Sequence, residues 1–231
     1  MIRFRDRGAR GRHAGAWVDS YHSFSFADYV DPANMGFRAL RVINEDRVTP
    51  GAGFPEHEHA DMEILTYVLE GAIEHRDSLG NVANLRRGDV QLMSAGTGVA
   101  HSEMNADAHL RAHFLQIWII PDSRGLPSGY QQKSFADLPS NRLVEVATPD
   151  GRAGSLRVHQ DVTVSLARIE DGYRVDHSIR PGRGCWVQAV RGILALNGTE
   201  MREGDGAAVE DEPGLVLEAE TDCELLLFDL A

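Results

Sequence analysis

Two short segments of the chain carry paired side chains of the kinds that bind metal ions. Residues 57–59 read His-Glu-His, and residues 101–103 read His-Ser-Glu. On an extended strand, side chains two residues apart point to the same face of the sheet. Each segment therefore presents two donors to one side of a sheet, His57 with His59 in the first and His101 with Glu103 in the second.

These four donors suit a first-row transition metal. Three imidazoles and one carboxylate are compatible with iron, manganese, cobalt, nickel, copper or zinc. On neighbouring strands the four side chains can converge on one ion and leave two adjacent positions of an octahedron open for water, substrate or O2. Histidine binds a metal only in its neutral form, and free imidazoles titrate at about pH 6.5, so we expect metal affinity to fall below about pH 6.

The strands that would position these segments are short and closely spaced. The 231 residues include 23 glycines, and the apolar runs are separated by Gly, Pro, Asn and Asp, which is typical of a β-sandwich or barrel. The sequence therefore predicts an all-β fold. The predicted strands cover residues 39–43, 63–69, 72–75, 90–93, 112–120, 156–159, 163–169, 186–190, 193–196, 215–219 and 224–228.

A weak internal repeat predicts two similar domains. A strand ends at Gly71 and a turn follows at Gly88, and the same order recurs at Gly192 and Gly204. Two copies of about 100 residues are each large enough to fold around one core. The predicted domains are an N-terminal barrel with the metal site at 1–132, a linker at 133–150 and a C-terminal barrel without metal at 151–231. Residues 121–139 lack a strand pattern, and a short helix is predicted near residues 132–138.

The second copy lacks the donors of the first. When the two copies are aligned on their glycines, the positions of the four donors fall on Ser178, Arg180, Leu217 and Ala219. His177 lies close to the first of these, but no second histidine does. We therefore expect one metal ion per chain.

The surroundings of the donors resemble the two motifs of the cupin superfamily, and longer stretches resemble the pirin family within it. Gly51 stands six residues before His57, and Glu63 stands four residues after His59. The resemblance to pirins is dense over residues 17–121 and looser in the second half. Its most specific stretches are DSYHSFSF at 19–26, GFRALRVINED at 36–46, TYVLEG at 66–71 and MSAGTGVAHSE at 93–103.

The resemblance implies a bicupin, with two facing antiparallel β-barrels of the double-stranded β-helix type and a short linker. It implies one divalent metal on His57, His59, His101 and Glu103, with Fe(II) expected and Zn, Mn, Co, Ni or Cu as alternatives. Glu63 is a ligand in many other cupins. In pirins the carboxylate comes from the position of Glu103, so a structural role is expected for Glu63.

Three functions follow from the resemblance and the donor set. Some pirins show quercetin 2,3-dioxygenase activity, in which a flavonol and O2 meet at the metal and Glu103 serves as both ligand and base. Other pirins are described as regulators, so an iron-dependent redox sensor that acts through a protein partner is the alternative. A metal-assisted isomerase or hydrolase is the third. An open apolar cavity at the metal favours the dioxygenase, whereas a regulator can keep its site nearly closed.

The composition of the chain limits the kinds of partner and the cellular location that we expect for the protein. The formal net charge is −12, which disfavours a function in coating nucleic acid because phosphate contacts need cations. No apolar run approaches the roughly 18 residues that span a bilayer. The N-terminus lacks the apolar segment of a secretory signal, so a cytoplasmic location without membrane contact is expected. Cys185 and Cys223 are expected to be buried thiols.

The remaining histidines and the phenylalanines of the pirin-like stretches receive simpler interpretations. His75 and His113 have no partner at ligand spacing and are interpreted as surface or sheet residues. His159 is interpreted as structural, and His22 either lines the pocket or packs beside it. The phenylalanines are interpreted as core residues, namely Phe24, Phe26 and Phe37.

Overall fold

The computed structural model describes residues 1–231 and confirms the predicted all-β fold. Two 3-10 helices cover Arg7–Ala9 and Arg152–Gly154. No helix has the length and apolar character needed to cross a membrane. The first twelve strands are β1 (Ile2–Arg5), β2 (Gly11–Ala14), β3 (Val18–His22), β4 (Leu40–Val48), β5 (Gly53–His59), β6 (Glu63–Glu70), β7 (Ala72–Asp77), β8 (Val82–Arg86), β9 (Asp89–Ser94), β10 (Val99–Met104), β11 (Ala112–Ile119) and β12 (Gly129–Ser134). The others are β13 (Val144–Thr148), β14 (Leu156–Arg157), β15 (Val162–Ile169), β16 (Arg174–Ser178), β17 (Gly184–Arg191), β18 (Ile193–Leu196), β19 (Thr199–Arg202), β20 (Gly206–Val209), β21 (Gly214–Ala219) and β22 (Cys223–Leu230).

The chain forms two compact units. The first unit contains residues 11–137 and 158–160, and the second contains residues 1–10, 138–157 and 161–231. The N-terminal residues belong to the second unit because β1 pairs with β20. The domain bounds at 132 and 151 remain a prediction.

The predicted connection at residues 121–139 contains a strand and no helix. β12 runs antiparallel to β9 at the edge of the larger sheet of the first unit. The short helix predicted near residues 132–138 is therefore wrong. Tyr130, Gln132 and Ser134 alternate along this strand with Gln131 and Lys133, a polar alternation that an exposed edge strand tolerates.

The first unit is made of two sheets that share one core. The larger sheet has the strand order β12-β9-β6-β11-β4-β3-β2, and the smaller has the order β5-β10-β7-β8. Val68 and Phe114 of the larger sheet form a buried cluster with Ile73 and Leu85 of the smaller sheet. The two sheets therefore pack face to face.

The second unit repeats this arrangement. Its larger sheet contains the order β20-β17-β22-β15, which matches β9-β6-β11-β4, and its smaller sheet has the order β16-β21-β18-β19. Gly71 and Gly192 end equivalent strands, β6 and β17, and both adopt a positive φ. The topology thus agrees with the duplication that the sequence predicts.

A glycine permits the close pairing of the two strands that carry the predicted donors. β5 and β10 are antiparallel neighbours, with Gly53 opposite Met104. A Cβ atom on Gly53 would lie 2.2 Å from the carbonyl oxygen of Glu103 and 2.6 Å from the Cα of Met104. Because both obstacles are backbone atoms, no larger residue fits without moving one strand away from the other.

We expect Gly53→Ala to destabilise the protein by about 1–3 kcal/mol, the usual cost of overpacking, and to weaken metal binding as well. Gly129→Ala is the matched control, because a Cβ atom there meets nothing within 4 Å. Chemical denaturation and metal titration measure the two effects. Equal stability and equal metal affinity in the two variants would contradict this role of Gly53.

Candidate metal centre

The predicted donor segments lie on adjacent strands. His101 on β10 is directly opposite His57 on β5, and the register shifts by one residue between His101 and Glu103. Glu103 therefore faces Phe54, where regular pairing would place it opposite Pro55. A bulge of this kind re-aims side chains beside a functional site.

The three histidines converge. Their ring centroids are 4.8 Å apart for His57 and His59, 4.5 Å for His57 and His101, and 5.0 Å for His59 and His101. One nitrogen from each ring lies within 4.8 Å of the others. The edge of the Trp118 ring packs against His59 at 4.9 Å between centroids. These distances allow one ion to reach all three rings.

Two details leave nitrogen lone pairs available in this cluster. Nδ1 of His57 lies 2.8 Å from the carbonyl oxygen of Pro55, which can only accept, so Nδ1 carries the proton and Nε2 keeps its lone pair. The ring of His101 is 1% exposed, and neither of its nitrogens has a hydrogen-bond partner. A buried polar group without a partner is costly, and a metal ion would satisfy it.

Glu103 lies beside the cluster and is held by a hydrogen-bond network. Its carboxylate accepts from Thr66 Oγ1 at 2.9 Å, from Gln91 Nε2 at 3.4 Å and from Gln116 Nε2. The donor set that includes its oxygen consists of His75, His101 and Glu103. The structure thus brings together three of the four predicted donors and places the fourth next to His101.

His75 is a member of this neighbourhood that the sequence reasoning missed. It is fully buried, lies 5.4 Å from His101 between ring centroids and stacks on Tyr130 at 4.7 Å. Its Nε2 is 3.1 Å from Asp77. The interpretation of His75 as an ordinary surface or sheet residue is therefore incomplete, because the pairing of β7 with β10 sets Glu103 directly opposite it.

Two histidines of the cluster, His59 and His101, are electrically neutral. Burial, together with repulsion from His57, lowers the pKa of His59 to about 4, and burial with repulsion from His57 and His59 lowers the pKa of His101 to about 3. Conversely, burial raises the pKa of Glu103 to about 7. The expected competition at about pH 6 therefore does not come from His59 or His101, which are already neutral there, whereas Glu103 still holds a proton at that pH.

The cluster opens on a cavity of about 530 Å³. All three histidines line it. The aromatic and apolar part of its lining, here named the aromatic wall, consists of Trp17, Val18, Phe26, Tyr29, Phe54 and Trp118. The lining also contains polar side chains, among them Ser20, His22, Asn44, Asp46, Gln116 and Glu103.

The other residues discussed in the sequence analysis lie outside the histidine cluster. Glu63 is buried and bonds Ser94 at 3.0 Å and His159 at 3.3 Å, which agrees with structural roles for Glu63 and His159. Phe26 lines the cavity and contacts Trp118 edge-on, so its interpretation as a core residue is corrected. His22 also lines the cavity. His113 is buried against Glu45 at 3.0 Å.

The second unit holds a different cluster. In the second unit His177 pairs with Leu215, just as His57 pairs with His101 in the first unit. The structural counterpart of His57 is therefore His177, and not Ser178 as the alignment on the glycines predicts. His177, Cys185 and Asp229 have donor atoms within 4.8 Å of one another. However, Asp229 already pairs with His177 at 3.0 Å and with the guanidinium of Arg183. Arg183 therefore already supplies a positive charge to this carboxylate, and neither cysteine forms a disulfide.

The residues of the first cluster fit a transition metal. Imidazoles with available lone pairs, a neighbouring carboxyl group and two unsatisfied nitrogens on His101 are the features of a prepared site. Carboxylate and imidazole donors together suit several first-row ions. The donor chemistry therefore does not select one metal.

Comparisons with known proteins agree with this arrangement. The pirin family model matches residues 3–119, and a model described as the quercetinase C-terminal cupin domain matches residues 145–230. The chain is 47% identical over 231 residues to quercetin 2,3-dioxygenase of Escherichia coli (strain K12), covering 100% of this chain and 99% of that protein. It is 39% identical over 217 residues to a pirin-like protein of Caulobacter vibrioides, covering 93% of each. The crystal structure of bacterial pirin YhhW from Escherichia coli in complex with nickel(II) matches with a TM-score of 0.96 at 46% identity, covering 100% of this chain and 99% of that one.

We expect the purified protein to bind one divalent metal ion per chain. His57→Ala and His101→Ala should each abolish binding because each removes a ring of the cluster, whereas His109→Ala, at an exposed position, should bind as wild type does. Elemental analysis and titration with Co(II) give the stoichiometry, and circular dichroism shows whether the variants fold. Two ions per chain, or full occupancy in either cluster variant, would refute this expectation.

The buried carboxyl of Asp46 should make the metal-free protein less stable as pH rises. Burial raises its pKa to about 7, against a hydrogen bond from Ser20 that lowers it. Folding then favours the protonated form, so this stability is fully present below about pH 4 and is lost as pH rises through about 7. We expect the stability advantage of Asp46→Asn over wild type to grow by about 2–3 kcal/mol between pH 5 and pH 8, toward a limit of about 4 kcal/mol. Denaturant titrations at both pH values test this, with exposed Asp137→Asn as the control. A stability difference that does not change with pH would show that Asp46 is ionised in the folded protein.

Proposed function

The chain belongs to the pirin family, and on that premise we propose that it is a metal-dependent dioxygenase that opens the ring of a flavonol such as quercetin with O2. One observation carries the proposal: the cluster of three histidines faces a cavity with an aromatic wall. Its volume lies within the range of about 300–1,000 Å³ that is common for small-molecule sites. The relatives named quercetin 2,3-dioxygenase support the same chemistry.

His57, His59, His101 and Glu103 are the proposed ligands of one Fe(II) ion. One nitrogen from each of the three rings lies within 4.8 Å of the others, close enough for one ion to bind all three. A carboxyl oxygen of Glu103 lies within the same distance of a nitrogen of His101, and Glu103 lines the same cavity. The nickel(II) complex of the similar pirin supports a divalent metal. When bound, the metal would act as a Lewis acid toward the flavonol oxygen and would exchange electrons with O2.

Glu103 is also the proposed general base. A flavonol must lose the proton of its 3-hydroxyl group before it can react as an enolate, and a carboxylate oxygen of Glu103 would accept that proton. A general base works best when its pKa lies near the operating pH; burial raises the pKa of Glu103 to about 7 in the metal-free protein, and a bound cation would lower it. Thr66, Gln91 and Gln116 hold the carboxylate in one orientation while the proton moves.

The aromatic wall suits a flat substrate. Phe26 and Trp118 meet edge-to-face at 5.4 Å, and Trp17 and Phe54 meet in the same way at 5.1 Å. Such rings offer apolar faces and edges to a planar polyphenol and exclude water from it. This wall also favours the dioxygenase over the other two functions. A regulator needs no cavity of this kind, and the small polar substrates of many isomerases and hydrolases gain little from it.

We further propose that each unit is a cupin-type barrel, so that the chain is a bicupin. In each unit a seven-stranded sheet and a four-stranded sheet pack around one core, and the strand orders match. The match to a quercetinase C-terminal cupin model over residues 145–230 supports this proposal for the second unit.

We expect the Fe(II)-loaded protein to consume O2 in the presence of quercetin. Glu103→Gln should lower turnover by about 10²–10⁴-fold, the usual cost of removing a general base, because its amide cannot take the proton. Oxygen-electrode rates should be divided by the iron content of each sample, so that loss of metal is not counted as loss of base.

Glu58→Gln is the matched control for this experiment. The same chemical change then falls on the same sheet, between His57 and His59, but at an exposed side chain on the opposite face. It should react as wild type does. The proposal fails if iron-replete protein consumes no O2 with any flavonol tried, and the role of the base fails if Glu103→Gln keeps the wild-type rate.

A further inference from the structure

The polar part of the cavity lining includes side chains that are neither proposed metal ligands nor the proposed base. Asn44 and Asp46 stand two residues apart on β4 and both line the cavity. Both are buried, at 4% and 2% exposure. Polar groups at such depth are usually satisfied by hydrogen bonds, so each one calls for a partner.

Asn44 lacks one of its partners. Its side-chain oxygen Oδ1 is buried and accepts no hydrogen bond within the protein. Because this residue lines the cavity, a bound molecule can bring a donor to it. An acceptor of this kind favours ligands with a hydroxyl group over ligands that present carbon at the same place.

Asp46 stands beside this acceptor in a fixed orientation. Ser20 donates a hydrogen bond to its carboxyl group, and the Ser20 hydroxyl lies 2.9 Å from Nε2 of His22. The carboxyl group retains further capacity to bond a ligand hydroxyl.

Strand register places this pair relative to the proposed base. Asn44 is directly opposite Gln116 on β11, and Gln116 donates to Glu103. Adjacent strands are about 4.8 Å apart, so Asn44 lies one strand spacing beyond Gln116 on the same wall. A ligand hydroxyl at Asn44 or Asp46 would therefore lie on the order of 5–10 Å from the hydroxyl at Glu103.

We propose that Asn44 and Asp46 form a second hydroxyl-binding site that makes the protein selective for aromatic substrates with a further hydroxyl beyond the one that reacts. This inference rests on the proposed function, because it assumes that the reacting hydroxyl lies at the histidine cluster. The substrate class is a polyhydroxylated planar aromatic. Asn44 accepts from the distant hydroxyl, and Asp46 orients it.

Binding to the Zn(II)-loaded protein tests this site without turnover. The two probes are quercetin and 3-hydroxyflavone, which keeps the reacting hydroxyl and lacks all the others, and isothermal titration calorimetry gives both Kd values. We expect wild type to bind quercetin at least about ten-fold more tightly than 3-hydroxyflavone. Asn44→Leu, which conserves volume, should bring the ratio close to one by weakening quercetin binding.

The matched control is Asn84→Leu, the same change at an exposed position of β8 that does not line the cavity. It should keep the wild-type ratio. Asn44→Ala removes the same amide without adding volume and gives a second measurement if the leucine variant does not fold. If both probes bind equally to wild type, or if the ratio persists in the Asn44 variants, this inference is overturned and the proposed function stands. If neither probe binds wild type, both are overturned.

Discussion

Three imidazoles with donor atoms within 4.8 Å of one another would repel one another strongly if they were charged, and much of the first unit follows from that constraint. Burial and mutual repulsion lower the pKa values of His59 and His101 far enough to keep both rings neutral at ordinary pH. Neutral rings with unsatisfied nitrogens are poor core residues but good ligands. The pairing of β5 with β10, permitted by Gly53, is what forces the rings together. The folded protein therefore holds imidazole nitrogens close together, and no neighbouring group bonds those of His101, which leaves them available to a cation.

The sequence could predict the parts of this site that depend on local geometry. Residues two apart on a strand share a face, so the pairs at 57–59 and 101–103 could be assigned from residue type and spacing alone. The exact relation of Glu103 to the histidines could not, because it depends on a bulge between two strands about 45 residues apart in the chain. His75 was missed for a related reason. Its place beside Glu103 comes from the register of β7 against β10, and an isolated histidine in a sequence gives no signal of that register.

The fold, like the site, could be predicted where it depends on neighbouring residues and could not where it depends on strand pairing between distant parts of the chain. Alternation and turn residues predicted an all-β chain and its duplication, which the matching strand orders of the two units agree with. The pairing of β1 with β20 joins residues about 200 positions apart, and nothing in the four residues Ile2–Arg5 indicates their partner. β12 was interpreted as part of a connection because its side chains are polar on both faces. At the edge of a sheet, backbone hydrogen bonds on one side are enough to hold such a strand, so side-chain patterning is a weak guide there.

The two units also act as an internal comparison of what a buried carboxylate requires. By sheet register, Glu103 corresponds to Leu217, and its three donors Thr66, Gln91 and Gln116 correspond to Val187, Ala207 and Leu227. All four counterparts are buried in the apolar core of the second unit. A buried carboxylate without donors is costly, and donors without a carboxylate are left unsatisfied, so neither half of the network is stable alone. The site is therefore present as a whole in one unit and absent as a whole in the other, and the apolar residues of the second unit fill the space with packing that needs no metal.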